Sequence, residues 1–263
     1  MPDDPPQDPS SARDYPREFI ASHIAEERRE VSILGEIREV VFGAQDGLVS
    51  TLAVVATVAG AASDNLAVLV AGLASAVAGI FSMSIGEYLG SKSQDEIFRN
   101  QVADERQEVN ERPLESEAEV AYLFTQEGMP EQDAWQAASI IARHPESLLA
   151  TMVAKELGII HDEQDLTSGG PLRGAVFMGL SFAAGAVVPI VPFLFSEGLA
   201  ALTMATTATG LVLFGIGVVK SRWTERFWLW SGLEILALAA VAGVAGYLFG
   251  TVLPTLLGFS GVV

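Results

Sequence analysis

The chain contains no cysteine and only three histidines among its 263 residues. It can therefore form no disulfide bond and no thiolate metal site, and a metal ion would have to be held by oxygen, nitrogen or thioether ligands. No histidine has a glutamate three residues before it, so the paired Glu-x-x-His ligands of ferritin-like di-iron bundles are missing as well. This absence weighs against a membrane-anchored ferroxidase or iron-storage protein.

Charged residues are missing from four long stretches of the chain, although they make up 18% of it. Each stretch has about 20 residues or more, which is enough for an α-helix to cross the hydrocarbon of a bilayer. The four stretches are residues 65–86, 174–196, 198–219 and 235–263. A fifth, residues 47–63, is shorter, but residues 40–42 extend it backwards across Asp46. The sequence therefore predicts an all-α, polytopic membrane protein with five transmembrane helices.

The chain also lacks a GxxxxGK[ST] phosphate-binding loop. The only nearby string, Gly90-Ser91-Lys92-Ser93, has neither the required spacing nor a preceding strand, so nothing indicates coupling to ATP hydrolysis. If the spans carry a solute, the remaining options are a channel or a carrier driven by an ion gradient.

Basic residues are few, 15 against 33 acidic ones, and they are distributed unevenly. Five precede the first predicted span, seven lie in residues 92–173, and three lie between the fourth and fifth spans. Because positive charge stays on the cytoplasmic side of short loops, we expect a cytoplasmic N-terminus and an external C-terminus. The expected location is a plasma membrane of the prokaryotic type.

We expect the chain to have four parts. Residues 1–39 form a tail and an amphipathic helix at the membrane surface, residues 40–90 the first two transmembrane helices, residues 91–170 a cytoplasmic acidic metal-binding domain, and residues 171–263 the last three transmembrane helices. Residues 91–112 contain neither Gly nor Pro, so the helix of the second span should continue into the cytosol. Shorter helices near 114–127, 130–143 and 145–157 should share a core of Leu123, Phe124, Trp135, Ile141, Leu149, Val153 and Leu157.

Polar residues within the apolar spans are candidates for a transport pathway. Asp46 lies between Gly43 and Gly47, where a charge is costly unless it faces a cavity or a cation; a helix cap at the membrane surface is the alternative. Met83 and Glu87 are four residues apart in the second span and share one helix face. A thioether beside a carboxylate suits Fe(II) better than Mg(II), although a lone methionine is more often a packing residue.

Residues 92–167 carry seventeen acids against six bases. A surface this acidic repels nucleic acid and attracts cations. Three pairs lie at helical spacing, namely Glu105 with Glu108, Glu115 with Glu119, and Met152 with Glu156. Like charges one turn apart destabilise a helix unless a cation lies between them. A cation site of carboxylates and a thioether is therefore as good an interpretation as an ordinary solvated surface.

In order, spacing and topology, these features resemble the vacuolar iron transporter family over about residues 36–250. The resemblance rests on four stretches, Phe42–Ser50, Ser82–Tyr88, Ser93–Glu96 and Lys155–Gly158. It implies a homodimer in the lipid membrane that exchanges cytosolic Fe(II), and often Mn(II), for protons. It also implies that Asp46, Met83 and Glu87 lie on the transport pathway.

The resemblance implies a metal site in the cytoplasmic domain as well. Its ligands would be Glu105, Glu108, Glu119, Met152 and Glu156, holding Fe(II) or else Mn(II) or Zn(II). Two positions depart from the family pattern: Val153 stands where a second methionine is common, and Ser116 stands where an acid is expected, although Glu115 could substitute from one turn away. The alternative is a membrane-anchored metal sensor without transport, for which Asp46 and Met83 would be dispensable.

We predict that a reporter fused after Val263 lies outside the cytosol, whereas a reporter inserted near Gly128 lies inside it. The distribution of the fifteen basic residues is the reason. Alkaline phosphatase and green fluorescent protein fusions measure the two positions. Finding both positions on the same side would contradict the five-span topology.

Overall fold

The computed structural model describes residues 11, 15–61, 64–157, 170–224 and 227–256. These residues form α-helices and connecting turns, with no strand among them. The helices are α1 (Arg17–Ala61), α2 (Asn65–Glu111), α3 (Pro113–Gln126), α4 (Glu131–Ile141), α5 (Pro145–Lys155), α6 (Gly170–Ile190), α7 (Pro192–Phe195), α8 (Gly198–Thr224) and α9 (Trp228–Leu256).

The chain divides into two compact units. The membrane unit comprises Met1–Glu87 and Gly174–Val263, and the acidic unit comprises Tyr88–Arg173. The helix α2 contributes its first half to the membrane unit and its second half to the acidic unit.

Four helical stretches in the described part of the chain are long and apolar enough to cross a membrane. They are Ile37–Ala61, Asn65–Glu111, Gly170–Phe195 and Gly198–Arg222, and each covers all or most of one of the predicted spans. The fifth predicted span, residues 235–263, extends beyond the described residues, although α9 is helical from Trp228 to Leu256. The protein is therefore an integral, helical membrane protein, and the count of five spans remains a prediction.

Two of the helices are much longer than a bilayer requires. The helix α2 has 47 residues and continues past Ser91, as the absence of Gly and Pro predicts. The helix α1 has 45 residues and runs from Arg17 to Ala61 without a break. The amphipathic helix and the first span, which we expected to be separate elements, are thus a single helix.

The helices α1 and α6 of the membrane unit touch through their backbones. A Cβ atom at Gly47 would overlap the carbonyl oxygen of Phe182, and one at Gly185 would overlap the carbonyl oxygen of Ala44. The ring of Phe182 fills the space at Gly79 of α2, and its side chain is 2% exposed. Small residues at such crossings let membrane helices approach closely, where van der Waals contact is a main source of attraction.

The helices α8 and α9 form a second close contact. A Cβ atom at Gly217 would lie 2.6 Å from the carbonyl oxygen of Ser231, and one at Gly232 would lie 2.5 Å from the ring of Phe214. Glycine is therefore required on both helices, because any larger side chain would push them apart.

An apolar cavity of about 510 Å³ lies between α1, α8 and α9. Leu52 and Ala56 of α1 line it, together with Thr203, Thr206 and Thr207 of α8. Each of these threonine hydroxyls donates to a backbone carbonyl of its own helix. These three hydroxyl groups therefore have no proton left to donate into the cavity, and its wall is apolar in character.

The acidic unit has a small core of its own. Its buried members are Val109, Val120, Ala121, Ala138, Leu148, Leu149, Met152 and Val153, and Phe124, Ile141 and Leu157 pack against them. The prediction that Trp135 belongs to this core is wrong, because its side chain is 46% exposed. On α4 the fully buried residues are Ala134 and Ala138. Such small side chains let this helix pack closely against the core, while the indole of Trp135 faces outwards.

We predict that Gly47→Ala destabilises the membrane unit by about 1–3 kcal/mol, since the added methyl group would overlap a backbone carbonyl that cannot rotate away. The matched control is Gly215→Ala on α8, where a Cβ atom meets nothing within 4 Å. Thermal unfolding of the two purified variants in detergent measures the difference. Equal melting temperatures would contradict the backbone contact between α1 and α6.

Candidate functional site

Asp46 is held where α1 crosses α6. It is half-buried, and its carbonyl oxygen accepts a hydrogen bond from the Ser50 hydroxyl at 2.5 Å. Gly43 and Gly47 lie on either side of it in sequence. The first lies against the Met178 carbonyl of α6 and the second against the Phe182 carbonyl. Because both glycines contact backbone, the position of Asp46 along α6 is fixed.

Met83 on α2 is likewise positioned by contacts with α6. Gly79, one turn before it on α2, contacts the ring of Phe182. Ser84, the residue after it, lies against Gly179 of α6. The Met83 side chain is partly buried and packs against the core cluster that includes Phe182.

The two sets of contacts put Asp46 and Met83 beside the same turn of α6. Each residue lies between one contact at the level of Phe182 and another about one turn away along α6. Glu87 follows one turn after Met83 on α2 and is half-buried. A carboxylate and a thioether on adjacent helices can together bind a divalent ion of intermediate softness.

In the acidic unit, two carboxylates are partly withdrawn from water without a full set of partners. Glu105 on α2 and Glu119 on α3 are both half-buried. In each, the Oε2 atom is buried and accepts no hydrogen bond from any group in the described part of the chain. A buried carboxylate oxygen without a donor is costly, and a bound cation is one way to stabilise it.

The charges around these two residues repel one another. Burial raises the pKa of Glu105 above the usual 4.5, and the nearby charges of Glu156, Glu108 and Glu119 raise it further. Burial likewise raises the pKa of Glu119, again with help from Glu156 and Glu108. Four carboxylates from α2, α3 and the end of α5 thus share one region of negative potential.

The other predicted ligands of the acidic unit differ in exposure. Met152 is fully buried in the core, whereas Glu156 is exposed at the end of α5. Glu115 is exposed on α3, and Ser116 beside it is buried, with its hydroxyl donating to the Arg112 carbonyl at 3.4 Å. Within the described residues, no three His, Asp or Glu side chains are close enough together to hold a metal ion as they stand.

Sequence reasoning missed two residues that shape these sites. Arg112 forms ion pairs with both Glu108 and Glu115, and its spacing of four and three residues from them is a signal that could have found it. Phe182 joins α1, α2 and α6, and no local pattern around it indicates this role.

The fold and the two sites define a class, namely a polytopic helical membrane protein with an acidic helical unit inserted between its membrane helices. The sequence profile of the VIT family matches residues 37–251. The chain belongs to the VIT family, and the family resemblance carried by its motifs is confirmed.

Relatives in plants and in a protozoan parasite cover most of the chain. The protein named vacuolar iron transporter 1 of Oryza sativa subsp. japonica is 28% identical over 212 residues, which are 80% of this chain and 82% of that protein. Vacuolar iron transporter 1 of Arabidopsis thaliana is 28% identical over 81% of this chain and 84% of its own length. The vacuolar iron transporter of Plasmodium falciparum (isolate 3D7) is 25% identical over 82% of each chain.

We predict that Glu105→Gln stabilises the metal-free acidic unit at pH 7, because an amide of the same shape removes a repelled, partly buried charge. The folded-state pKa of Glu105 is raised, so the penalty is complete above that pKa and is lost as the pH falls towards 4.5. The stabilisation should therefore shrink over the same range.

Hydrogen exchange of the α3 amides, in the presence of a chelator and compared with wild type at each pH, measures this effect. Glu117→Gln is the control, since it removes the same charge from α3 without involving the four carboxylates. A gain for Glu105→Gln that does not vary between pH 4.5 and 7 would contradict the prediction.

Proposed function

We propose that this protein transports Fe(II) out of the cytosol across its membrane in exchange for protons, and that it does so without ATP. The observation that carries the proposal is that Asp46 and Met83 lie beside the same turn of α6, at the glycine-lined crossing of α1, α2 and α6. Neither solubility nor packing requires a carboxylate at that point of an apolar helix. The names of the relatives, vacuolar iron transporters, agree with this cargo.

Asp46 and Met83 would bind the ion in transit. A divalent ion that enters an apolar region loses hydration, and the Asp46 carboxylate would offset part of that loss. The Met83 thioether would add affinity for Fe(II), and to a lesser degree Mn(II), without adding charge. Glu87 would either bind the metal or carry the exchanged proton, because it lies one turn from Met83 on the same face of α2.

The acidic unit would collect the ion before transport. The unpaired Oε2 atoms of Glu105 and Glu119 would bind it first, since each is already desolvated and repelled by neighbouring carboxylates. Glu108, Glu115 and Glu156 would complete an oxygen-rich site that accepts Fe(II), Mn(II) or Zn(II). The thioether of Met152 would join only if α5 shifted, because that side chain is packed into the core.

The direction of transport follows from the orientation proposed for the chain. The distribution of basic residues favours a cytosolic acidic unit, so the collected ion would come from the cytosol. The prokaryotic plasma membrane that we expected gains no support from relatives found in plants and Plasmodium.

A second copy of the chain would complete the pathway. The membrane half of α2 exposes a row of large apolar side chains at spacings of three and four residues, Leu66, Val70, Leu73, Val77 and Phe81. Further along α2, a Cβ atom at Gly86 or Gly90 meets nothing within 4 Å. The apolar row can pack against the same row of a partner, and the two glycines leave another face of α2 open to close approach. We propose a homodimer with α2 at its interface.

We predict that Asp46→Asn lowers Fe(II)-dependent proton flux at least about tenfold, because an amide cannot offset the lost hydration of a divalent ion. Met83→Leu should cause a smaller loss and should weaken the preference for Fe(II) over Mg(II). The measurement is Fe(II) and proton flux in anaerobic proteoliposomes with an imposed pH gradient.

The control for charge is Asp64→Asn, since Asp64 lies between α1 and α2, is exposed, and caps the start of α2 through a 3.0 Å bond from the Leu66 amide. Metal binding by the acidic unit should survive in all three variants. Wild-type flux that persists in Asp46→Asn would mean that the pathway lies elsewhere. Binding without any flux in the wild type would favour a metal sensor.

A further inference from the structure

Arg112 connects two acids of the proposed collecting site. It lies between α2 and α3, where it is the N-cap residue of α3. One guanidinium nitrogen donates to the Glu108 carboxylate on α2, and another donates to Glu115 on α3 at 2.9 Å. The arginine thus bonds both helices through the same planar group, in the way guanidinium groups commonly hold carboxylates.

The positive charge of Arg112 also affects Glu119, a partly buried acid of the site. It lowers the pKa of Glu119, in opposition to burial and to the neighbouring acids. Other bases of the acidic unit form their ion pairs elsewhere: Arg106 bonds Glu146 at 2.7 Å, and Lys155 bonds Glu127 at 2.6 Å. Among these three bases, Arg112 is the one whose partners belong to the proposed ligand set.

Four of the five carboxylates therefore fall into two groups. Glu105 and Glu119 each have a buried oxygen without a donor among the described residues, whereas Glu108 and Glu115 are engaged by Arg112. A divalent ion that recruits Glu108 or Glu115 would lie beside a guanidinium of like charge, and the two cations would repel each other. Binding of a metal ion by Glu108 or Glu115 therefore opposes their ion pairs with Arg112.

We propose that Arg112 is a resident counter-ion of the collecting site, which neutralises Glu108 and Glu115 while no metal is bound and is displaced when a divalent ion recruits them. It is a positioning residue that touches no metal, and this inference rests on the proposed function. Its effect is to lower the affinity of the site, so that an ion is bound only above a threshold concentration and is released readily. In the metal-free protein it also reduces repulsion between α2 and α3.

The test measures Mn²⁺ binding to the full-length protein in lipid nanodiscs, by electron paramagnetic resonance of the free ion. Exposed ion pairs are worth little individually, so the loss of two of them in Arg112→Gln should tighten binding by about three- to tenfold. Arg112→Lys should have an intermediate affinity, since lysine keeps the charge but not the two-point geometry. Arg106→Gln removes the same charge from α2 and should bind within about twofold of wild type, because its partner Glu146 lies outside the site.

Three results would overturn the inference. One is unchanged binding by Arg112→Gln, which would mean that the arginine has no effect on the site, or weaker binding, which would mean that it holds the ligands ready for the metal. Another is an equal gain in Mn²⁺ affinity in Arg112→Gln and Arg106→Gln, which would mean that the change in net charge alone causes the gain. The third is wild-type affinity in the double variant Glu105→Gln with Glu119→Gln, which would overturn the collecting site itself. Loss of binding in the double variant, with no tightening in Arg112→Gln, would overturn the role of Arg112 alone.

Discussion

The contact between the backbones of α1 and α6 determines most of what the membrane unit can do. In a bilayer there is little hydrophobic gain in bringing two apolar helices together, and their association depends on close packing. Gly47 and Gly185 allow that packing because neither carries a side chain between the two backbones. The position of Asp46 follows directly, since it is adjacent to Gly47 and cannot move along α6 without breaking this contact.

Elements that depend on local composition could be predicted from the sequence. The continuation of α2 past Ser91 follows from a stretch with neither Gly nor Pro, and the four helices long and apolar enough to cross a membrane follow from the absence of charge. The single α1 helix could not be predicted, because the charged segment after Arg17 and the apolar segment after Asp46 have different compositions. Trp135 was misassigned because a large apolar residue is expected to be buried, whereas Ala134 and Ala138 provide the closer contact.

The candidate sites were predictable as sets of residues but not as arrangements. Asp46 and Met83 stand out as polar or soft residues in apolar spans, yet their placement beside the same turn of α6 depends on Phe182, about 100 residues or more away along the chain. The acid pairs of the acidic unit were found by their helical spacing. Arg112 also lies at helical spacing from Glu108 and Glu115. It was missed because a search for pairs of acids does not consider the basic residue between them. The burial of Met152 depends on the fold of four helix segments, which no local pattern contains.

The glycine contacts also have a mechanical consequence. The contacts between α1 and α6 at Gly47 and Gly185 leave no side chain that could yield, so these two helices can move only as one body. The helices α8 and α9 meet through backbone in the same way at Gly217. The cavity of about 510 Å³ lies where α1 of the first body faces α8 and α9 of the second. Because the side chains that line the cavity lack packing partners on that side, a small movement of the helices would disturb them least.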